Sequence, residues 1–201
     1  MQGYKIVNLQ LMIQSLGEDR VKSELSKFSC PLNLDVESFL KAKAIEFSKQ
    51  GLAQTHLVYA SFKDEPIISG YFTLANKYII IKADAVSGKT RQRIKRFATY
   101  DRNIKAFYLS APLIAQLGKN YADNCSNLIS GEELLGMACE KIGAIQYDLG
   151  GRFVYLECED KPKLLEFYSR YGFCEFDKRM LDRDESGLSG DYLIQLLKYI
   201  K

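Results

Sequence analysis

Histidine, tryptophan and proline are scarce in this chain. There is no tryptophan, there are four prolines, and His56 is the only histidine among 201 residues. A catalytic triad built on imidazole and a histidine-rich metal site both need more than that. The five cysteines, Cys30, Cys125, Cys139, Cys158 and Cys174, are odd in number and include no C-x-x-C pair. Most have apolar neighbours, so they read as reduced, buried thiols rather than a disulfide framework or a metal cage. No apolar run approaches the length of a membrane span, and the N-terminus lacks the basic-then-apolar order of a secretory leader. Repeats and low-complexity linkers are missing too. The expectation is a cytoplasmic protein with no membrane partner, folded as a single domain over residues 1–201.

What is present is ordinary globular composition. Hydrophobic residues make up 47% and charged residues 26%, which suits one substantial core and argues against disorder. The net charge of +3 names no partner, so local clusters must be read instead. Residues 4–9 predict a short strand. Residues 35–50 predict a helix, because Val36, Phe39, Leu40, Ala44 and Phe47 recur at helical spacing and Gly51 follows as a stop. The β-rich runs 55–62 and 67–74 flank Lys63-Asp64-Glu65-Pro66 and predict a hairpin, with residues 78–82 as a third run. Residues 87–100 are basic and helical or irregular, and residues 112–119 are another apolar run. Ser130, with Glu133 three residues on, is a capping box opening a helix over 130–145. A strand over 152–158, a helix over 161–170 and closing strands over 174–181 and 192–200 complete the order. A meander followed by strand–helix–strand units predicts an α/β (α+β) fold. Its sheet is mixed, mostly antiparallel and twisted, of about six to seven strands, with helices on both faces.

The strongest local signal is Tyr155-Leu156-Glu157-Cys158 followed by Phe167-Tyr168-Ser169-Arg170-Tyr171-Gly172-Phe173. From the residues alone, Gly172 is a helix stop needing positive φ, and Tyr168 is an amphipathic core residue with its hydroxyl at the surface. The same stretch resembles the closing half of the GNAT superfamily of N-acetyltransferases, which runs L-E-V, a loop, then aromatic-Tyr-x-x-x-Gly-Phe. Phe167, Tyr168, Gly172 and Phe173 match, while Lys161 and Leu164 stand where many members carry asparagine and alanine. The resemblance implies acetyl-coenzyme A as cosubstrate and direct attack by a primary amine. It also implies Tyr168 as the general acid that protonates the departing thiolate, since a thiolate in a desolvated slot needs a donor. Glu157, at the end of its strand, is the candidate base.

A second match lies upstream. Leu113-Ile114-Ala115-Gln116-Leu117-Gly118-Lys119-Asn120 resembles the central GNAT strand, whose exposed backbone pairs with the pantetheine arm. That resemblance assigns Gln116, Leu117, Gly118 and Lys119 to the cofactor. The family's next turn holds the pyrophosphate on backbone N–H groups at a helix start. The aligned residues are Asn127, Leu128, Ile129, Ser130, Gly131 and Glu132. Only Gly131 and the following Leu134-Leu135 keep the pattern, and Glu132 and Glu133 add negative charge.

The front half is similar to one branch, the GNAT toxins of toxin–antitoxin pairs. Phe28-Ser29-Cys30, Leu34, Phe39-Leu40, Ala44 and Gly70-Tyr71-Phe72-Thr73-Leu74 carry that likeness, with Ser29 and Pro31 replacing an aspartate and a glycine. Those toxins acetylate the α-amine of aminoacyl-tRNA. Lys89, Arg91, Arg93, Lys95, Arg96, Arg102 and Lys105, with Phe97 and Tyr100 among them, form a basic segment over 89–105 that can track phosphates. The sequence therefore reads as an acetyl-coenzyme A-dependent N-acetyltransferase acting on a small-molecule or peptide amine. An aminoacyl-tRNA acetylating enzyme and a non-catalytic acyl-coenzyme A- or nucleic-acid-binding module are the alternatives. A homodimer is compatible with either.

Overall fold

The structure is a computed structural model that describes residues 3–182, 188 and 190–200. In chain order the strands are β1 (Lys5–Asn8), β2 (Gln54–Phe62), β3 (Glu65–Lys82), β4 (Thr99–Asp101), β5 (Ala106–Lys119), β6 (Phe153–Glu159), β7 (Cys174–Met180) and β8 (Tyr192–Tyr199). The helices are α1 (Leu9–Leu16), α2 (Glu18–Ser26), α3 (Leu34–Ser38), α4 (Ala44–Lys49), α5 (Gly88–Ile94), α6 (Gly131–Leu149) and α7 (Pro162–Arg170). The strand order is β1-β2-β3-β5-β6-β8-β7, with β4 on β5. The β1–β2, β2–β3, β4–β5, β6–β8 and β7–β8 pairs are antiparallel. The β5–β6 pair is parallel, registered at Leu113–Tyr155 and Ile114–Leu156. This is the mixed, mostly antiparallel, helix-flanked sheet expected from the sequence.

The chain forms two compact units, one of residues 3–75 and 115–138, the other of 76–114, 139–182 and 190–200. In the first, α1, α2, α3 and α4 close over β1–β3 around Leu9, Val21, Leu25, Phe28, Leu40 and Tyr71. Each large apolar side chain fully buried there contributes about 1.5–3 kcal/mol of transfer free energy. His56 lies buried on β2 with its ring stacked on Phe72. The second unit packs Ile81, Ile94, Phe107, Leu109, Phe153, Phe176 and Leu197 together.

Several elements differ from the sequence reading. The strand over 4–9 is shorter, and two helices that periodicity missed follow it. Asn8 caps α1 by accepting from the Leu11 N–H, and Gly17, at φ 82°, ends it. The 35–50 helix is real but contains a π-helical turn, Phe39–Lys43, between α3 and α4. The hairpin turn is tighter than the four residues suggested. Lys63 and Asp64 both take positive φ, 52° and 64°, which matches the right-handed twist of the strands they join. The run over 78–82 is no separate strand, because β3 continues unbroken for 18 residues. Finally, β5 begins at Ala106, well before Pro112. Among the five cysteines, none of them in a disulfide, Cys174 is exposed and Cys139 half-buried, so only three fit the buried reading.

Candidate functional site

In the first unit the end of β5 is held by close backbone approach. Gly118 is buried, and a Cβ there would run into the Val36 side chain and lie 3.4 Å from the Tyr71 ring and 3.6 Å from Phe28. A Cβ on Gly70 would stand 2.9 Å from the Gly118 carbonyl oxygen. Glycine at both positions lets β3 and β5 meet there. Tyr71 is fully buried, packs edge-on to Phe28 at 5.3 Å, and donates its hydroxyl to the Val36 carbonyl. Burial raises its pKa well above the ordinary value, so it stays a donor. Phe28, Val36 and Tyr71 thus form one wall behind the strand end. Gln116 donates to the Asp35 carboxylate at 2.9 Å, Leu117 is half-buried, and the Lys119 ammonium stands 5.8 Å over the Tyr121 ring.

Asn120, which sequence reasoning did not single out, locks this arrangement. It is buried, and its side-chain amide donates to the Ile68 carbonyl at 2.8 Å. Its side-chain oxygen accepts from the N–H groups of Ser29 and Ala122, each at 3.0 Å. Its own N–H bonds the Ser69 carbonyl at 2.9 Å, and the Tyr121 N–H bonds the Ser29 carbonyl at 2.7 Å. Glu37 completes the corner by accepting from the Cys30 N–H at 2.7 Å.

The turn that follows is a 3₁₀ segment, Ala122–Asn127, leading into α6. Asn127 is exposed, Leu128 and Ile129 are buried, and Ser130, Gly131 and Glu132 open the helix. The capping box is formed in both directions: the Ser130 N–H donates to Glu133 Oε2 at 2.8 Å, and the Glu133 N–H donates to Ser130 Oγ at 3.1 Å. The Leu128 N–H is spent on the Cys125 carbonyl. The Tyr4 hydroxyl reaches both the Leu128 carbonyl (2.9 Å) and Glu133 Oε1 (3.0 Å), one proton between two acceptors.

The second unit holds the other predicted residues. Pro162 at its first turn starts α7, suited by its fixed φ. The helix ends in a paired closure: the Phe173 N–H bonds the Tyr168 carbonyl (3.1 Å) and the Gly172 N–H bonds the Ser169 carbonyl (3.0 Å). Gly172 takes φ 82° to allow it, as the sequence predicted. Phe173, buried beyond the stop, packs on Tyr168 at 6.0 Å, and Phe167 packs on it at 5.1 Å. Tyr168 as a whole is half-buried, but its hydroxyl is desolvated, which pushes its pKa well above 10, with a smaller push from Cys158. The buried Cys158 thiol is itself raised to about 12 by desolvation and by Asp160, Glu159 and Glu175. Glu157 is gripped on both oxygens. Arg179 donates to Oε2 from Nε (2.9 Å) and a terminal nitrogen (2.8 Å), and Gln195 donates to Oε1 at 2.7 Å.

The basic segment is also in the second unit. It is α5, then a tight turn, then β4, anchored by buried Ile94. The Arg93 guanidinium lies 4.6 Å over the Tyr199 ring. Phe97 packs edge-on to Phe153 and Tyr100 against Phe107, so both aromatics serve the core while staying part-exposed. Lys89, Lys95, Arg96, Arg102 and Lys105 are exposed.

No protein-family model matches the chain, and no curated protein matches it. Solved structures do. AtaT complexed with acetyl-methionyl-tRNAfMet superposes with TM-score 0.63 at 15% identity, covering 96% of this chain and 94% of that one. A tyrosine-to-phenylalanine mutant of KacT gives TM-score 0.62 at 15% identity, covering 98% and 95%. AtaTR bound with acetyl-coenzyme A gives 0.58 at 14%, covering 98% and 92%. At these identities the likeness establishes the fold: this chain has the GNAT fold in the form seen in AtaT and KacT. No helix among the described residues is long and apolar enough to cross a membrane.

Proposed function

We propose that this chain is an acetyl-coenzyme A-dependent N-acetyltransferase that acetylates the α-amine of an aminoacyl-tRNA. The observation that carries it is Tyr168, a desolvated phenol fixed at the closure of α7, on a fold whose solved examples hold acetyl-coenzyme A and acetyl-methionyl-tRNAfMet. The exposed cations over 89–105 favour a tRNA acceptor over a small amine or a peptide, because phosphate contacts need a run of accessible lysine and arginine.

The residues fit acetyl-coenzyme A unevenly. At the end of β5, the backbone of Gln116, Leu117, Gly118 and Lys119 would take the pantetheine arm, and bare Gly118 lets the strand lie against the wall of Val36, Tyr71 and Phe28. The turn from Asn127 to Glu132 would take the phosphates, but there the Ser130 N–H already has a carboxylate on it. The bound thioester supplies an activated acetyl group. The attacking amine would form the C–N bond as the C–S bond breaks, Tyr168 would give its proton to the departing thiolate, and the proton shed by the acylated nitrogen would pass through solvent to restore the Tyr168 phenol. A phenol is protonated at neutral pH with or without burial; desolvation raises its pKa further, and in the same slot would raise the thiolate's demand for a proton as well. An α-amine titrates at about 8, so a useful fraction is free without help. Where a base is needed, Glu157 is the candidate carboxylate, and it would first have to be released by Arg179 from Oε2 or by Gln195 from Oε1.

Tyr168→Phe tests the reading. Turnover should fall about 10²-fold, the usual scale for losing one general acid, with coenzyme A affinity unchanged. Tyr171→Phe, just past the end of α7, should stay near wild type. Equal thiol release by wild type and Tyr168→Phe would make Tyr168 a packing residue and leave water or another donor to protonate the thiolate; no thiol release by a wild type that binds acetyl-coenzyme A would favour a non-catalytic acyl-coenzyme A-binding module.

A further inference from the structure

We infer that Glu133 is an internal competitor for the cofactor's pyrophosphate and sets the affinity for coenzyme A. The inference rests on the acyltransferase reading and on four groups in the first unit: Ser130, Glu133, Tyr4 and Leu128.

A helix start binds phosphate through N–H groups that the helix itself cannot satisfy. At α6 one of these, the Ser130 N–H, is bonded at 2.8 Å to Glu133 Oε2. The carboxylate therefore sits where a phosphate oxygen would sit, with the same charge and the same donor. Its second oxygen is not loose. The Tyr4 hydroxyl reaches Glu133 Oε1 at 3.0 Å and the Leu128 carbonyl at 2.9 Å, which fastens the carboxylate to the turn. The neighbouring Glu132 is exposed at the same end and adds a second negative charge. A diphosphate arriving here has to displace Glu133 from Ser130 and then lie beside it. A glycine-rich turn without this glutamate presents the same donors unoccupied.

The two roles of Glu133 have opposite signs, which makes the inference testable. As the third residue of a capping box it stabilises the free protein. As a competitor it weakens the complex. Calorimetric titration with coenzyme A should show Glu133→Ala binding about tenfold tighter than wild type, ~1.4 kcal/mol, while its unliganded melting temperature falls. Glu133→Gln removes the charge but keeps an acceptor long enough to cap, so it loses less stability than Glu133→Ala and should bind about threefold tighter than wild type. Tyr4→Phe frees the carboxylate to swing away and should move affinity in the same direction. Unchanged or weaker binding by both Glu133 variants would overturn the inference and leave the acyltransferase reading standing. No coenzyme A binding by wild type or any variant would overturn both.

Discussion

Ser130 and Glu133 show how one residue pair serves stability whatever else it does. Ser130→Ala removes the hydroxyl that accepts from the Glu133 N–H, and should cost about 1 kcal/mol in chemical denaturation. The Glu133 carboxyl is held below its ordinary pKa, first by the Ser130 N–H, then by the Ser130 hydroxyl and by Tyr4. A lowered folded-state pKa means the unfolded chain takes up the proton first. Its contribution is therefore complete above about pH 4.5 and is lost as pH falls through the folded value. Denaturation of wild type and Glu133→Gln from pH 7 to 3 should converge at the acid end; a constant gap would show that the carboxylate's charge carries no stability. The capping box and the Gly172 stop were legible in the sequence because each is a local spacing. Asn120 was not: a buried amide joining residues 29, 68 and 122 leaves no pattern along the chain. The clamp on Glu157 is equally non-local, since Arg179 and Gln195 lie on other strands.

At the scale of elements, β5 is the strand on which the candidate site depends. Gly118→Ala drives a methyl into the Val36 side chain and against the Tyr71 ring. Overpacking of that kind costs about 1–3 kcal/mol, so a melting temperature equal to wild type would show that the wall relaxes. Pro112 hid the first half of β5, because proline lacks the N–H that a central strand needs. It is tolerated one residue before the first registered β5–β6 pair, at Leu113. The α1 helix was missed because its apolar residues continue the β1 run. Asn8 as a cap and Gly17 as a stop were the signals that could have separated them. In β3, Ala75-Asn76-Lys77 looked like a break, yet the strand passes through them; strand pairing overrides weak local propensity.

At the scale of the whole molecule, the proposed reaction joins an acetyl donor to a polyanionic acceptor. If Arg91, Arg93, Lys95 and Arg96 engage phosphates, tRNA affinity should fall steeply with added salt, and changing all four to glutamine should flatten the slope. Arg93 will contribute least if its stacking on Tyr199 persists in the complex. The most direct test of the central claim is to incubate the full chain with acetyl-coenzyme A and charged tRNA, then assay for N-acetylated aminoacyl ester. The account predicts one acetyl group transferred per coenzyme A released, abolished by omitting the aminoacyl ester and about 10²-fold slower with Tyr168→Phe. Folded protein that binds acetyl-coenzyme A but leaves every charged tRNA unacetylated would contradict it.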